Sequence, residues 1–226
     1  MTDEAALLAA IAARPDDDTP RLVYADWLDD AGADDRAEFI RLQCALARGG
    51  PDDPAAAERA DELEERHRIR WLAGVPTGPG LRWSFHRGFP ERLEADVYRL
   101  IEWYRAIEPL PLLRDLCLTG FTAYAARVLV TLLWPAGLVG LELWFGPAGP
   151  ADVVAAVRAI ATCRQGARLR ELRLGGDPLP PDAVLALTES PHLSGLRLLA
   201  VPGDPTRPVY ALLRERFGLR LVGEGA

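Results

Sequence analysis

The sequence contains no lysine, and only three serines, three histidines and three cysteines occur among its 226 residues. Without lysine the chain cannot form the GxxxxGK[ST] loop that holds nucleotide phosphates, and no GxSxG nucleophile motif is present. The cysteines are far apart and outside any CxxC spacing, so they predict neither a disulfide framework nor a zinc site. We expect no cofactor, and we expect small packing residues at Cys44, Cys117 and Cys163.

Long apolar runs are also missing, since no stretch reaches the roughly eighteen residues that a membrane span needs. The opening segment MTDEAALLAAIAARPDDD lacks the basic region and the cleavage site of an export signal. We therefore expect a cytoplasmic protein without membrane contact. The net charge is −7, and residues 1–75 alone hold 18 acidic against 9 basic side chains. This balance disfavours nucleic acid, whose binding depends on clustered positive charge.

Residues 1–75 have the pattern of helices separated by Asp, Gly and Pro. Thr19 is the expected N-cap of the second helix, with Pro20 at its first position. Three short helices packed around Trp27 and Phe39 would make a compact helical bundle, and the GVPTGPG stretch at 74–80 marks the domain boundary. The helices are expected at residues 4–13, 20–31, about 34–48 and 54 to about 72.

Residues 81–226 carry a recurring LxxLxL spacing. The clear copies begin at Leu113, Leu138, Leu169 and Leu193, with weaker copies at Pro90 and Arg216, and helical patterns lie between them. Units of this size cannot bury their own apolar faces, so neighbouring units must stack. The spacing predicts an α/β fold in which a parallel sheet is backed by helices on the convex side of a short solenoid.

The segment RPDDDTPRLVYADWLDDAG at 14–32, followed by RAEFIRLQ at 36–43, closely resembles the bacterial repeat-companion domain that precedes leucine-rich repeats. This resemblance implies an architecture, in which residues 1–75 cap the repeats, and implies no chemistry. Residues 81–226 are similar to helix-containing leucine-rich repeats, which implies a partner-binding horseshoe. They depart from that family where its usual Asn is replaced by Phe121, Gly146 and Val201, and only Asp177 approximates it.

Eight aspartates between residues 16 and 35 could in principle bind a hard cation, but their spacing does not match an EF-hand. We interpret them as helix caps and solvated side chains. Asp26 lies beside Trp27 on an apolar helix, so a structural ion pair with Arg21 or Arg41 is expected, and a catalytic or partner-contacting carboxylate is the alternative. His86 is interpreted as a strand-edge residue.

The candidate binding site comes from the residues that alternate with the leucines and therefore face away from the core. The central column is expected to place Arg173, Arg197 and Arg220 in a cationic ladder bordered by Glu142 and Glu171, with Trp144 as a binding hot spot. In the alternative, the two glutamates only neutralise the arginines and Trp144 packs under a loop. In full, the predicted column contains Glu94, Cys117, Glu142, Arg173, Arg197 and Arg220.

These features favour a protein that is not an enzyme and that binds a protein or peptide, including one with an acidic segment, through a concave face. The alternative is an accessory or specificity subunit of an enzyme complex or bacterial defence assembly. A stand-alone hydrolase is the third reading, although histidines and serines are few and no GxSxG motif occurs.

Overall fold

The computed structural model describes residues 3–49, 53–147 and 149–223, which form nine α-helices and seven β-strands with short 3₁₀ turns. Helices α1 to α4 begin and end within one residue of the bounds that the sequence predicts. The helices are α1 Asp3–Ala13, α2 Thr19–Asp30, α3 Asp34–Ala47, α4 Pro54–Trp71, α5 Val97–Ile107, α6 Ala123–Leu129, α7 Pro150–Thr162, α8 Pro181–Glu189 and α9 Ala211–Phe217. The strands are β1 Leu81–His86, β2 Phe89–Asp96, β3 Asp115–Phe121, β4 Gly140–Phe145, β5 Glu171–Gly175, β6 Leu198–Val201 and β7 Leu221–Gly223.

The seven strands form one sheet in sequence order. From β2 to β7 every pair is parallel, whereas β1 runs antiparallel to β2 and joins it through Arg87 and Gly88, both at positive φ. Helices α5 to α9 follow the strands and pack against one another in succession. The α/β class and the largely parallel sheet agree with the sequence prediction, and the antiparallel hairpin was not predicted.

The main core lies between this row of helices and one face of the sheet. Because side chains alternate along a strand, the leucines of the repeated spacing at β3, β4 and β5 enter this core. Leu116 and Leu118 of β3 and Leu141 and Leu143 of β4 are almost completely inaccessible to solvent. All three cysteines are buried and free of disulfide bonds, which confirms that they are packing residues.

Helices α1 to α4 pack in sequence order, each against the next. Two details of the prediction were wrong. Thr19 is the first residue of α2 rather than its N-cap, and its amide donates to Asp17 Oδ1 at 2.9 Å. Phe39 is fully buried as expected, but Trp27 is only partly covered and stacks on Tyr24 at a ring distance of 5.6 Å.

The hairpin of β1 and β2 packs directly against the helices. Phe89 enters the apolar cluster of α2 and α3, while Phe85 contacts Phe39 edge-on at 5.5 Å. Gly88 lies so close to Ile40 that a Cβ there would approach the Ile40 Cα within 2.9 Å. The predicted boundary at 75–81 therefore lies next to an extensive contact between α1–α4 and the sheet.

Among the described helices, none has the length and apolar character that crossing a membrane requires.

Candidate functional site

The face of the sheet opposite the helices carries the predicted central column on strands β2 to β5. Glu94 pairs in register with Cys117, Cys117 with Glu142, and Glu142 with Arg173. The sequence therefore predicted both the facing and the register of these side chains correctly. The next partner in the column differs from the prediction, because Arg173 pairs with Ala200 instead of Arg197.

This difference is a three-residue shift in β6. Leu193 belongs to a 3₁₀ turn, and the inward-facing residues are Leu196, Leu199 and Val201 instead of the predicted Leu193, Leu196 and Leu198. The predicted frame matches LxxLxL and the observed one reads LxxLxV, but the observed frame buries Leu199 and Val201 completely. The shift moves Arg197 to the start of the strand, where its amide donates to the carbonyl oxygen of Arg170.

Arg220 is the second correction to the predicted ladder. It lies in the turn before β7, and Val222 takes the place beside Ala200. Its guanidinium donates to the carbonyl oxygens of Leu196 at 2.9 Å and Phe217 at 3.1 Å, and it lies over the Phe217 ring. Arg220 therefore stabilises the last turn of the chain and does not extend a cationic column.

A groove of about 970 Å³ runs across this open face. Five of the six residues predicted to bind a partner line it, and Arg220 does not. The side chains around it are predominantly charged, with five arginines facing four carboxylates. The lining comprises Asp16, His86, Arg92, Arg114, Asp115, Val139, Glu142, Trp144, Arg170, Glu171, Arg173, Leu174, Gly175, Arg197, Ala200 and Gly203.

Glu142 is held in place at the centre of the groove. Arg92 Nη2 donates to its Oε2 at 2.8 Å, and Trp144 Nε1 donates to its Oε1 at 2.6 Å. Burial favours the neutral acid, but these two hydrogen bonds outweigh it and lower the pKa of Glu142. The Glu142 carboxylate is thus ionised at neutral pH, and both of its oxygens accept hydrogen bonds from Arg92 and Trp144. Its main role in the groove is therefore to orient Trp144.

Trp144 has 38% of its surface exposed, and its indole ring lies over Gly175 of the neighbouring strand. A Cβ at Gly175 would lie 2.7 Å from two of the ring carbons, so only glycine leaves room for the ring in this position. The backbone of one strand and the carboxylate of Glu142 together fix the indole as a flat, half-exposed wall. The alternative expectation that Trp144 is covered by a loop does not agree with this exposure.

Asp115 lies deeper in the groove, and burial together with the charge of Glu171 raises its pKa. Its Oδ1 would be 1.9 Å from a Cβ at Gly140, so glycine provides the space for this carboxylate. Cys117 is no nucleophile at neutral pH, because burial and the neighbouring Glu142 raise its pKa to about 12.

The cationic end of the groove is formed by Arg170, Arg173 and Arg197. Arg173 makes a 3.4 Å contact with Glu171, and Arg170 donates to the Gly195 carbonyl oxygen at 3.2 Å. The exposed guanidinium of Arg197 has no hydrogen-bond or ion-pair partner within residues 3–49, 53–147 and 149–223. This end therefore retains positive charge that the chain itself does not neutralise.

The opposite end is built partly by the N-terminal helices. Arg114 binds Asp16 at 2.9 Å, and His86 closes the strand beside them. Burial and the nearby charges of Arg87, Arg21 and Arg114 lower the pKa of His86, so its ring is neutral at physiological pH.

The sequence did not point to Arg114 and Arg170, which precede strands β3 and β5 and line the groove. One position is equivalent in four successive units and is held by Arg114, Val139, Arg170 and Arg197. The amide of each of the last three donates to the carbonyl oxygen of the preceding residue of this set, and the Arg114 amide donates to the carbonyl oxygen of Glu91. They all follow the first leucine of a unit, so reading that position along the repeats in the observed frame would have found this row.

The expected ion pair of Asp26 is confirmed with Arg41, one of the two predicted partners. Arg41 binds both Asp26 and Asp29 at 2.6 Å, whereas Arg21 points elsewhere, and the Asp26 side chain is exposed instead of buried. No group of three or more His, Cys, Asp or Glu side chains suited to a metal ion occurs in the part of the chain that the structure describes.

The fold and the groove together define an α/β protein with a sequential, mostly parallel sheet and a mixed-charge groove on its open face. No protein-family model, no curated protein and no solved structure matches the chain.

Proposed function

We propose that this chain is a non-catalytic binding protein that holds an extended protein or peptide segment, acidic in part, in the groove of its sheet. In this proposal residues 81–226 form a short leucine-rich-repeat solenoid with the groove on its concave side. The observation that carries the proposal is the combination of an unpaired Arg197 with the half-exposed ring of Trp144 in one groove.

The dimensions of the groove suit an extended chain. It is lined from β1 to β6, and adjacent strands are about 4.8 Å apart, so it offers a path on the order of 20 Å. A segment of about six residues in extended conformation covers that distance. Aromatic and arginine side chains contribute most to protein interfaces, and Trp144 and Arg173 are of these types.

The charge of the groove selects the partner. Glu142 and Asp16 are neutralised by Arg92 and Arg114, so the arginines that remain lie at the β5–β6 end. An acidic segment placed there would pair with Arg170, Arg173 and Arg197, whereas a basic one would be repelled. This distribution supports an acidic partner despite the net charge of −7.

The proposed role of residues 1–75 is a capping helical bundle. Helix α4 runs beside β1, the edge strand, and Arg68 donates to the carbonyl oxygen of Trp83 in that strand. Exposed edge strands invite unwanted pairing, and covering them is a common protection. The accessory-subunit alternative uses the same groove, and the identity of the partner distinguishes it from a free-standing binding protein.

An array of extended peptides with systematically varied charge tests the proposal. We expect the purified protein to retain acidic peptides and to release neutral and basic ones of the same length. The variant Arg173→Glu/Arg197→Glu should weaken this binding about tenfold or more, since two attractive contacts become repulsive.

The matched control is Arg127→Glu/Arg158→Glu, which makes the same change of charge at exposed positions on α6 and α7. It should leave peptide binding within about twofold of the unaltered protein. Equal losses in the two double variants would attribute binding to overall charge and remove the groove from the proposal.

A further inference from the structure

A cation surrounded by aromatic rings lies outside the groove, and the sequence did not predict it. The guanidinium carbon of Arg36, in the first turn of α3, lies 4.6 Å from the ring centre of Trp71 and within 5.6 Å of those of three phenylalanines. The phenylalanines are Phe39, Phe85 and Phe89. These rings come from α3, α4 and the β1–β2 hairpin, so Arg36 lies where the two halves of the chain meet.

Arg36 is partly buried, and its Nη1 atom is shielded from solvent without a hydrogen-bond partner. Within the described ranges Arg36 makes no hydrogen bond and no ion pair. Burial lowers the pKa of Arg36 to about 10, which reflects the cost of holding the charge there. Cation–π contacts offset part of this cost, but they leave the N–H donors of Nη1 without an acceptor.

Arg21 shows how the same fold treats a buried arginine that has a structural role. Its Nη2 donates to Glu91 at 2.5 Å and to the Pro15 carbonyl oxygen at 3.0 Å. Arg36 has neither kind of contact, although both residues lie against Phe89. Among the described residues no carboxylate contacts Arg36, and the charge of Glu64 acts on it only from a distance.

A cavity of about 470 Å³ adjoins Arg36. It opens at the turn between α2 and α3, where Gly32 and Ala33 lie, and Tyr24, Leu28 and Trp71 give it apolar walls. Two of its carboxylates are already engaged. Glu4 accepts a hydrogen bond from the Tyr24 hydroxyl at 3.0 Å, and Asp35 is 2.8 Å from His67 Nε2.

We propose that this cavity binds a carboxylate carried on an apolar or aromatic body, with the carboxylate on Arg36 and the body against Tyr24 and Trp71. A single negative charge matches the single unpaired guanidinium. A phosphate dianion would add a second charge beside Glu4, Asp34 and Asp35, which line the same cavity, and they would repel it. The site is separate from the groove and does not depend on the proposed function.

Ligand-observed NMR on the unaltered protein tests the charge requirement directly. The probes are 3-phenylpropionate and its neutral amide, with phenylethylamine and inorganic phosphate as further comparisons. We expect saturable binding of the carboxylate and about tenfold or weaker binding of the amide, because the amide loses the charged hydrogen bond. N-acetyl-phenylalanine, with a free carboxyl group, distinguishes a peptide C-terminus from a small organic acid as the source of the same chemistry.

The variant Arg36→Met assigns the binding to this residue, and Arg36→Lys keeps the charge without the planar fork. We expect Arg36→Met to lose the carboxylate response, Arg36→Lys to weaken it, and the control Arg158→Met, at an exposed position on α7, to leave it unchanged. Equal binding by the unaltered protein and Arg36→Met would overturn the proposal. Absence of saturable binding by either carboxylate would also overturn it and leave Arg36 as a structural cation held by aromatic rings alone.

Discussion

Arg21 and Glu91 form an ion pair that joins helix α2 to strand β2, 70 residues apart in sequence, and that is completely shielded from solvent. Arg21 Nη2 lies 2.5 Å from Glu91 Oε1, while Glu91 Oε2 and two of the arginine nitrogens have no hydrogen-bond partner in the described residues. Burial raises the pKa of Glu91 to about 7, even though the charge of Arg21 acts in the opposite direction. The contact between the helices and the sheet is therefore sensitive to protonation.

Glu91→Gln tests the direction of this titration. Folding raises the pKa of Glu91 from 4.5 to about 7. Between these two pH values the carboxyl is therefore protonated in the folded chain and ionised in the unfolded chain. The contribution of this carboxyl to the free energy of unfolding is fully present below pH 4.5 and is lost as the pH rises to about 7. We expect Glu91→Gln to gain stability relative to the unaltered protein over that interval, by on the order of 3 kcal/mol, in urea unfolding experiments. If Glu91→Gln instead lost stability relative to the unaltered protein as the pH rises, Arg21 would be keeping the Glu91 carboxyl ionised in the folded chain.

Arg21→Met removes the cation and leaves Glu91 buried without its partner. We expect the free energy of unfolding at neutral pH to fall by about 3–5 kcal/mol, with a smaller loss in acid, where the protonated carboxyl needs no counter-charge. Arg14→Met is the control, because its pair with Asp17 is exposed and should cost less than about 1 kcal/mol. Similar losses in the two variants would show that the buried pair contributes no more than a surface one.

The Gly88 position can be tested through its close approach to α3. In Gly88→Ala a Cβ would lie 2.4 Å from Ile40 Cγ1 and 2.9 Å from its Cα, in a residue with φ of +86°. Gly203 has φ of +73° but nothing within 4 Å, so Gly203→Ala measures backbone strain alone, about 1 kcal/mol. We expect Gly88→Ala to cost about 1–3 kcal/mol more in urea unfolding. Equal costs would mean that the hairpin and α3 separate without penalty.

Local patterns in the sequence were sufficient to predict most elements of this fold. Leucines spaced as LxxLxL bury one face of each strand, and this requirement alone placed β3, β4 and β5 in their observed register. The pattern failed at β6, where leucines at 193, 196, 198 and 199 fit two frames. The choice between them depends on how Leu199 and Val201 fill the core, which a spacing rule does not measure.

The roles of individual arginines could not be predicted for a different reason. Arg21 is buried with Glu91, Arg36 is enclosed by aromatic rings, Arg220 binds carbonyl oxygens and Arg197 lies free in the groove. These roles depend on partners that are distant in the sequence, and the residues next to each arginine do not indicate which partners the fold will bring to it. The candidate groove was therefore predicted in its position and general charge, but not in its full set of arginines.

The relative importance of Phe39 and Trp27 provides a further test. Phe39 is fully buried between α3, α4 and the hairpin, whereas Trp27 lies at the edge of its cluster. We expect Phe39→Ala to cost about 3–5 kcal/mol and Trp27→Ala clearly less, despite the larger side chain that is removed. Thermal unfolding followed by circular dichroism measures both. A larger effect of Trp27→Ala would place the centre of the helical packing where the sequence first suggested it.

Arg220 and Arg197 separate a structural arginine from one that is available for binding, although the repeat pattern predicted the same role for both. Arg220→Ala removes hydrogen bonds to the Leu196 and Phe217 carbonyl oxygens and the contact with the Phe217 ring. It should lower the free energy of unfolding by about 1–3 kcal/mol, because these acceptors lose a charged donor. Arg197→Ala removes no such contact and should change the free energy of unfolding by less than about 0.5 kcal/mol. The same substitution should weaken the binding of acidic peptides in the array. If Arg197→Ala destabilised the chain as much as Arg220→Ala, its guanidinium would have a structural partner and would not be free to bind.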